Sequence, residues 1–485
     1  MNPSLASLIY TCGIAGLFYL DRDKSIRTSK ALWLPVAYLW ILGSRPLSVW
    51  LGMGPANRTN TLMEGSPVDG VFFQILFIAA ICVLVVRGRR VVKFLNTNFP
   101  LPILLYLVFC LFSIIWSDYP GVALKKWTKS VEDLVMVLVI VTDEQPVAAL
   151  RRLFSRLGFI LLPYSLLLIK YYPGIGRFYG AWDGTQMNTG VTQDKNMLGV
   201  ITLVLSLGAA WRFLALLSGE ETPPNRRRHL LAQGTILFMG VWILMIANSA
   251  TSLVSFIVGA GLLLATRFRL IRSNPATVYV LVILFLVTVS SLFFLGGRGS
   301  VAHALGRQEN LARTDIWEAV IPMAPNPLVG AGFESFWLGE RLERLAQLFP
   351  NLNLNEAHDG YIEVYLNLGW VGIVLIGLIL IDGFRRGVKA FRREPALGGL
   401  LLAYVLTATT YNITEAGFRM LNPFWFFLIL ALLEASAVAA GIGVGAAQLV
   451  ETSPDRPAKL RITHALALKP DKRPMAGKVV RGQER

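Results

Sequence analysis

The chain has 485 residues, 54% of them hydrophobic and only 16% charged, with a mean hydropathy of +0.55. A soluble protein carries roughly a quarter of its residues charged, so composition excludes an ordinary soluble enzyme, a disordered chain and a coiled coil, and implies a polytopic membrane protein. The net charge of +16 calls for no nucleic acid, because 31 of the 46 Lys and Arg fall in six short loops and in the tail from Glu451. Basic residues gathered in alternate short loops mark the cytoplasmic face.

Taken in order, the apolar runs able to cross a ~30 Å hydrocarbon layer as helices lie near residues 4–20, 31–51, 70–87, 99–117, 128–142, 157–170, 197–217, 231–248, 252–266, 277–296, 361–382, 397–413 and 421–441. They predict an all-α bundle of about 12 or 13 transmembrane helices. The first run is followed, not preceded, by its charges Arg22 and Lys24, which fits a retained span with an outer N-terminus better than a cleaved signal peptide. Residues 231–266 read as two spans or one re-entrant pair, since only "NSATS" parts the apolar halves. Cys12, Cys82 and Cys110 have no paired spacing for a metal or redox motif.

Two outer loops stand out. Residues 170–196 are dense in Gly, aromatic and polar residues, and residues 297–360 form the largest extramembrane segment, expected to be a large helical outer loop. Within it Leu338, Leu342, Leu345 and Phe349 share one helical face, the spacing of an amphipathic helix on an apolar surface. Residues 1–450 are thus expected to form one membrane domain that includes the 297–360 loop. The Pro- and charge-rich 451–485 are expected to be a basic, disordered cytoplasmic tail. No internal repeat supports an inverted-repeat transporter.

The four histidines narrow the chemistry. His229 reads as a cytoplasmic loop residue and His464 as part of the tail, leaving His303 and His358 on the outer side. His358 stands where a polar loop becomes a membrane helix, among Asn355, Glu356, Asp359 and Glu363. Carboxylates beside a histidine can orient it and tune it to accept a proton near neutral pH. The alternative is a helix start capped by Asp359 or Asn355, with His358 merely solvated. Arg307, Arg313, Arg177 and Lys195 supply cations on the same side, suited to a phosphate-bearing lipid, although each alone also fits a solvated loop. Arg45, inside an apolar run, reads as a cavity-facing cation or as an arginine reaching for the head groups. Asn412 and Glu415 end a membrane helix on the outer face, where polar residues face a cavity or meet water.

Several strings in order resemble the O-antigen ligase and polymerase superfamily. "NEAHDGYIEVYLNLGWVGIVL" is similar to its His-containing signature, with Gly369 and Gly372 as the following glycine pair. "LARTDIW" and "PLVGAGFESFW" resemble its Arg-x-x-x-Trp and Gly-x-Gly-x-x-x-Phe strings, and "RFYG…NTGVTQDKNMLG" its upstream Lys-Asn segment. "WLPVAYLWILGSRPLSVWLG" is similar to exopolysaccharide polymerisation proteins in that superfamily. Where family members often carry a basic residue after the serine of the "NSATS" segment, this chain has Ala250 and Thr251.

The resemblance implies a membrane-embedded, inverting glycosyltransferase without metal or other cofactor, in the bacterial inner membrane with its active face periplasmic. The donor would be an undecaprenyl-pyrophosphate-linked oligosaccharide. His358 would be the general base. Arg313 would hold the departing pyrophosphate, with Arg307, Arg177, Lys195 and Arg45 as further cations. Asn355, Glu356, Asp359, Tyr361, Asn196 and Glu415 would support the site. Polymerisation of exopolysaccharide or O-antigen repeat units is the leading expectation, with chain-length regulator and flippase proteins as partners. The alternatives are a ligase that moves the glycan to lipid A core or another acceptor, and a lipid-linked oligosaccharide transporter.

Overall fold

The computed structural model describes residues 1–24, 26–53, 65–179, 186–274, 276–284, 309–349 and 354–439, with the backbone alone for Asn98 and for 309–313. The tail 451–485, His303, His464 and Arg307 lie outside the described residues, and so does the run at 277–296 beyond residue 284. Fifteen helices of ten residues or more are described: α1 (Pro3–Leu20), α2 (Trp33–Leu42), α3 (Pro67–Val86), α4 (Gly88–Asn98), α5 (Leu101–Phe112), α6 (Pro120–Val141), α7 (Pro146–Tyr171), α8 (Lys195–Ser218), α9 (Arg226–Ile246), α10 (Ala250–Ala265), α11 (Glu309–Val320), α12 (Gly339–Leu348), α13 (Gly360–Arg393), α14 (Pro395–Tyr411) and α15 (Pro423–Ala439). A two-stranded hairpin, β1 (Arg177–Tyr179) with β2 (Gln186–Asn188), is the one sheet among the described residues.

Helices α1, α3, α7, α8, α9 and α13 are long and apolar enough to cross a membrane. The number is seven if Gly88–Thr97 and Leu101–Trp116, bent by 100°, make one span, and four shorter apolar helices accompany them. The chain is an all-α polytopic membrane protein. Prolines in the first turns of α3, α6, α7 and α14 start these helices where a missing N–H loses no bond. Helices α7, α8, α14 and α15 are buried along most of their length, whereas α1 and α3 expose Leu8, Ile9, Ile75 and Ile78, apolar faces suited to lipid. The 231–266 region is two helices, α9 and α10, parted at Ala247–Ser249, where Asn248 takes a φ of 52°.

Several charges inside this bundle are paired, although both carboxylate oxygens of the buried Glu434 meet no hydrogen-bond partner among the described residues. Arg212, 4% exposed, meets Asp21 at 2.9 Å and Glu221 at 3.1 Å. Asp21 also lies 2.9 Å from Nδ1 of His229. The sequence leaves His229 in a loop; here it is buried in α9, because that partner offsets its desolvation. Asp133, fully buried in α6, accepts from the Tyr38 hydroxyl at 2.8 Å and from the Leu421 N–H at 3.2 Å. It thereby ties down the loop that joins α14 to α15.

Helix α13 is broken at Gly369 (φ 63°, ψ −162°). The groups this break frees are taken by the 326–331 strand of loop: the Trp370 N–H donates to Pro327 O at 2.9 Å, Val371 N–H to Leu328 O at 3.1 Å, and Ala331 N–H to Leu366 O at 3.0 Å. A broken helix at membrane depth is stable only where protein satisfies its backbone this way. A Cβ on Gly369 would sit 2.2 Å from the Leu328 carbonyl carbon, and one on Gly330 (φ 66°) 2.4 Å from the Asn367 carbonyl carbon. Gly369→Ala is therefore expected to destabilise the fold by about 3 kcal/mol or more. A thermal unfolding midpoint unchanged from wild type in detergent would contradict this close approach.

Candidate functional site

A cavity of about 760 Å³ lies where α8, α13 and α15 begin and α14 ends, lined by Asp194, Lys195, Asn196, Asn355, Glu356, His358, Glu415 and Arg419, with Phe178 and Met187 of the hairpin. Asp194 caps α8 by accepting the N–H groups of Asn196 (2.9 Å) and Met197 (2.8 Å), which holds Lys195 and Asn196 at the cavity wall. Burial raises the Asp194 carboxyl despite these bonds. Asp359 caps α13, accepting from Tyr361 and Ile362 N–H, each at 2.9 Å. Asp359 is thus the capping residue, while His358 belongs to a charged cluster.

His358 is fixed from both sides. The Ala357 N–H donates to the buried Glu363 carboxylate. The Ala357 carbonyl accepts from Trp317 Nε1 of α11 at 2.7 Å, and the Gly360 N–H donates to Asn412 O at 2.8 Å. Between these anchors His358 holds φ at 53°, a conformation a non-glycine residue adopts at a cost of order 1–3 kcal/mol. Among the described residues four non-glycines have positive φ: Asn248, Glu334, His358 and Leu421. His358 and Leu421 line the cavity and Glu334 meets its Arg419, and strained residues of this kind tend to cluster at functional sites.

The His358 ring nitrogen Nδ1 lies 3.0 Å from Glu356 Oε1 and 3.5 Å from Glu415 Oε2. Nδ1 makes no well-formed hydrogen bond to either oxygen, so both contacts are ion pairs. Burial alone would lower the imidazole pKa. The two carboxylates outweigh it and push the value up to about 10, above the near-neutral value the sequence suggests, because two acids converge on one ring. Glu356, which burial would raise, is held below the ordinary carboxylate range by His358 and Arg419. Glu415 also accepts from Asn196 Nδ2 at 3.2 Å, linking α8 to the cluster. One ligand-type atom each from Glu356, His358 and Glu415 lies within 4.8 Å of the other two. Among the described residues these three are close enough to share a cation, and Arg419 already places a positive charge beside Glu356.

The other anticipated residues divide. Lys195, Asn196, Asn355, Glu356 and Glu415 gather with His358 around the cavity. Tyr361 stands beside it, its hydroxyl donating to Thr409 O at 2.9 Å. Arg45 and Arg177 do not line the cavity but brace its frame. Arg45 donates to the Ile175 and Gly190 carbonyls and Arg177 to Ile169 O at 2.8 Å, so both hold the base of the hairpin. Arg313 falls in α11, one turn before Trp317, with its side chain outside the described residues. Asn412 neither faces the cavity nor meets water: fully buried, it accepts from the Gly417 N–H (2.7 Å) and Phe418 N–H (2.9 Å) and shapes the α14–α15 loop. The Leu338–Phe349 stripe packs on protein, with Leu345 buried among Ile316, Val320, Trp337 and Ala357.

Sequence reasoning missed Arg419. Its Nη1 donates to Glu356 Oε2 at 3.1 Å, and its Nη2 reaches Glu334 Oε2 at 3.5 Å. Burial would lower its pKa, but Glu334 and Glu356 raise it. A guanidinium inside the apolar "AGFRMLNPFW" string was the available signal, since a charge in such a setting implies a partner. Glu334, also missed, is approached by Lys126, whose Nζ donates to its carbonyl at 2.9 Å.

Residues 235–377 match the family model described as O-antigen ligase. The chain is also 25% identical, over 300 residues, to the exopolysaccharide production protein ExoQ of Rhizobium meliloti (strain 1021). That match covers 60% of this chain and 65% of the relative, so the chain spans somewhat less than two thirds of the relative's length. The two matches support a place in the O-antigen ligase/polymerase superfamily. The family match contains the α9–α10 break, the Gly330 loop, His358 and Gly369.

Proposed function

We propose that the chain transfers a glycan from an undecaprenyl-pyrophosphate carrier to an acceptor sugar hydroxyl, joining repeat units of exopolysaccharide or O-antigen, without a metal ion and with inversion. The observation that carries this reading is His358, held in a strained conformation between two carboxylates in a large cavity of mixed charged and apolar lining at one end of the bundle. In this mechanism neutral His358 accepts the acceptor hydroxyl proton at Nε2 while Nδ1 stays with the carboxylates. The freed oxygen bonds to the anomeric carbon, and the bond to the pyrophosphate breaks with its electron pair, inverting the centre. Lys195 at the cavity wall and the arginines of the large loop, Arg313 and Arg307, offset the charge that develops on the leaving group. Arg45 and Arg177 contribute by keeping the hairpin at the mouth.

Support for a periplasmic active face comes from connectivity. The basic loops at 21–30, 143–156, 218–230 and 383–396 join the helix ends remote from His358, and such loops stay cytoplasmic. The bilayer would be the bacterial inner membrane, with chain-length regulator and flippase proteins as partners. The exopolysaccharide relative favours polymerisation, and the family description favours the second reading, ligation to lipid A core. Deleting the gene separates them: a polymerase leaves single repeat units on the carrier, whereas full-length polymer accumulating there would overturn polymerisation in favour of ligation.

A further inference from the structure

We infer that Arg419 is a positioning residue for this transfer: by forking between Glu334 and Glu356 it fixes the carboxylate that orients His358. The inference rests on the reaction proposed above. Arg419 comes from the α14–α15 loop, Glu356 from the segment before α13, Glu334 from the Gly-rich loop after α11, and Lys126 from α6. Across these four segments charges alternate. Lys126 Nζ is 3.9 Å from the Glu334 carboxylate, which is 3.5 Å from Arg419. Arg419 is 3.1 Å from one oxygen of Glu356, whose other oxygen is 3.0 Å from His358. Glu356 thus spends one oxygen on the guanidinium and one on the imidazole, and its orientation is set by the former.

The strain pattern agrees. Glu334 holds φ at 52° and His358 at 53°, and the two strained residues are the outer carboxylate partner of Arg419 and the imidazole its inner partner orients. The α14–α15 loop that carries Arg419 is itself pinned, through Asn412 to the Gly417 and Phe418 N–H groups and through Leu421 N–H to Asp133. A planar guanidinium can meet two carboxylates along separate N–H directions, whereas an ammonium is a single point charge. The two carboxylates take two of the guanidinium's five N–H donors, which fixes its plane between the two acids.

The test is steady-state transfer by the full chain in lipid, with kcat and the donor KM resolved, for Arg419→Gln, Arg419→Lys, Glu334→Gln and the Arg419→Gln/Glu334→Gln pair. Arg419→Gln is expected to lower kcat about 10- to 100-fold with the donor KM within about twofold, the mark of a misplaced catalytic group. Arg419→Lys should recover part of that loss. The double variant should lose no more than Arg419→Gln alone, since Glu334 acts through Arg419. Should Arg419→Gln fail to fold, Arg419→Lys and Glu334→Gln carry the comparison, and each should lower kcat at constant KM. A donor KM raised tenfold or more at unchanged kcat would overturn the inference and make Arg419 a pyrophosphate ligand. Fully additive losses, or wild-type kinetics in all variants, would also overturn it. Wild-type protein that forms no glycosidic bond would strike down the transfer reading itself, and this inference with it.

Discussion

His358→Ala is expected to lower glycan transfer by about 10²- to 10⁴-fold, the usual contribution of a positioned general base, while the protein still folds and still takes up donor. The His358 side chain is 31% exposed, and its polar partners are the Glu356 and Glu415 carboxylates at the cavity. Glu356 retains Arg419 after the substitution and Glu415 retains Asn196, so neither acid is left without a partner. Thermal unfolding and donor binding, measured beside the rate, separate loss of chemistry from loss of structure. A variant that folds and transfers within tenfold of wild type would remove His358 from the reaction.

The second large effect is on pH. A base whose pKa is pushed up to about 10 is almost wholly protonated at neutrality, so the wild-type rate is expected to rise about tenfold per pH unit from near neutrality and to level off towards that value. Glu415→Gln removes one of the two carboxylates that raise it, and the levelling point should move to lower pH while the maximal rate falls with the weaker base. The same pairing acts on stability with a defined sign. Because the folded value lies above the ordinary 6.5, the pairing stabilises the fold fully below pH 6.5 and progressively less as the pH rises towards 10. A flat wild-type profile across this range, or a levelling point that Glu415→Gln leaves in place, would contradict this electrostatic setting.

Much of the fold is legible in the sequence because the bilayer leaves helix as the spanning element and apolar runs mark it. What escapes is the way helices are broken and closed. The glycine pair Gly369 and Gly372 is visible as a pattern, yet its reason, the Leu328 backbone lying where a Cβ of Gly369 would go, depends on a contact between segments forty residues apart. His358 is legible from its acidic neighbours, and Glu356 turns out to be one partner. The other, Glu415, is 57 residues downstream and reaches the ring only because α14 returns α13 to the same end of the bundle. Cations are the least legible group. Arg45 and Arg177 look available in the sequence but end on backbone carbonyls. Arg419 hides in an apolar string and becomes central because three acids, Glu334, Glu356 and Glu363, surround it. Charge type can be read from sequence, but the partner on which a charge is spent is set by packing.

The most direct measurement is the release of undecaprenyl pyrophosphate by the purified wild-type protein in lipid, supplied with undecaprenyl-pyrophosphate oligosaccharide and EDTA and followed alongside glycosidic bond formation. One pyrophosphate carrier released for each bond formed, with EDTA present, is the result expected of a metal-independent transferase built on His358. Oligosaccharide that crosses the bilayer still attached to its carrier, with none released, would contradict it and identify a transporter.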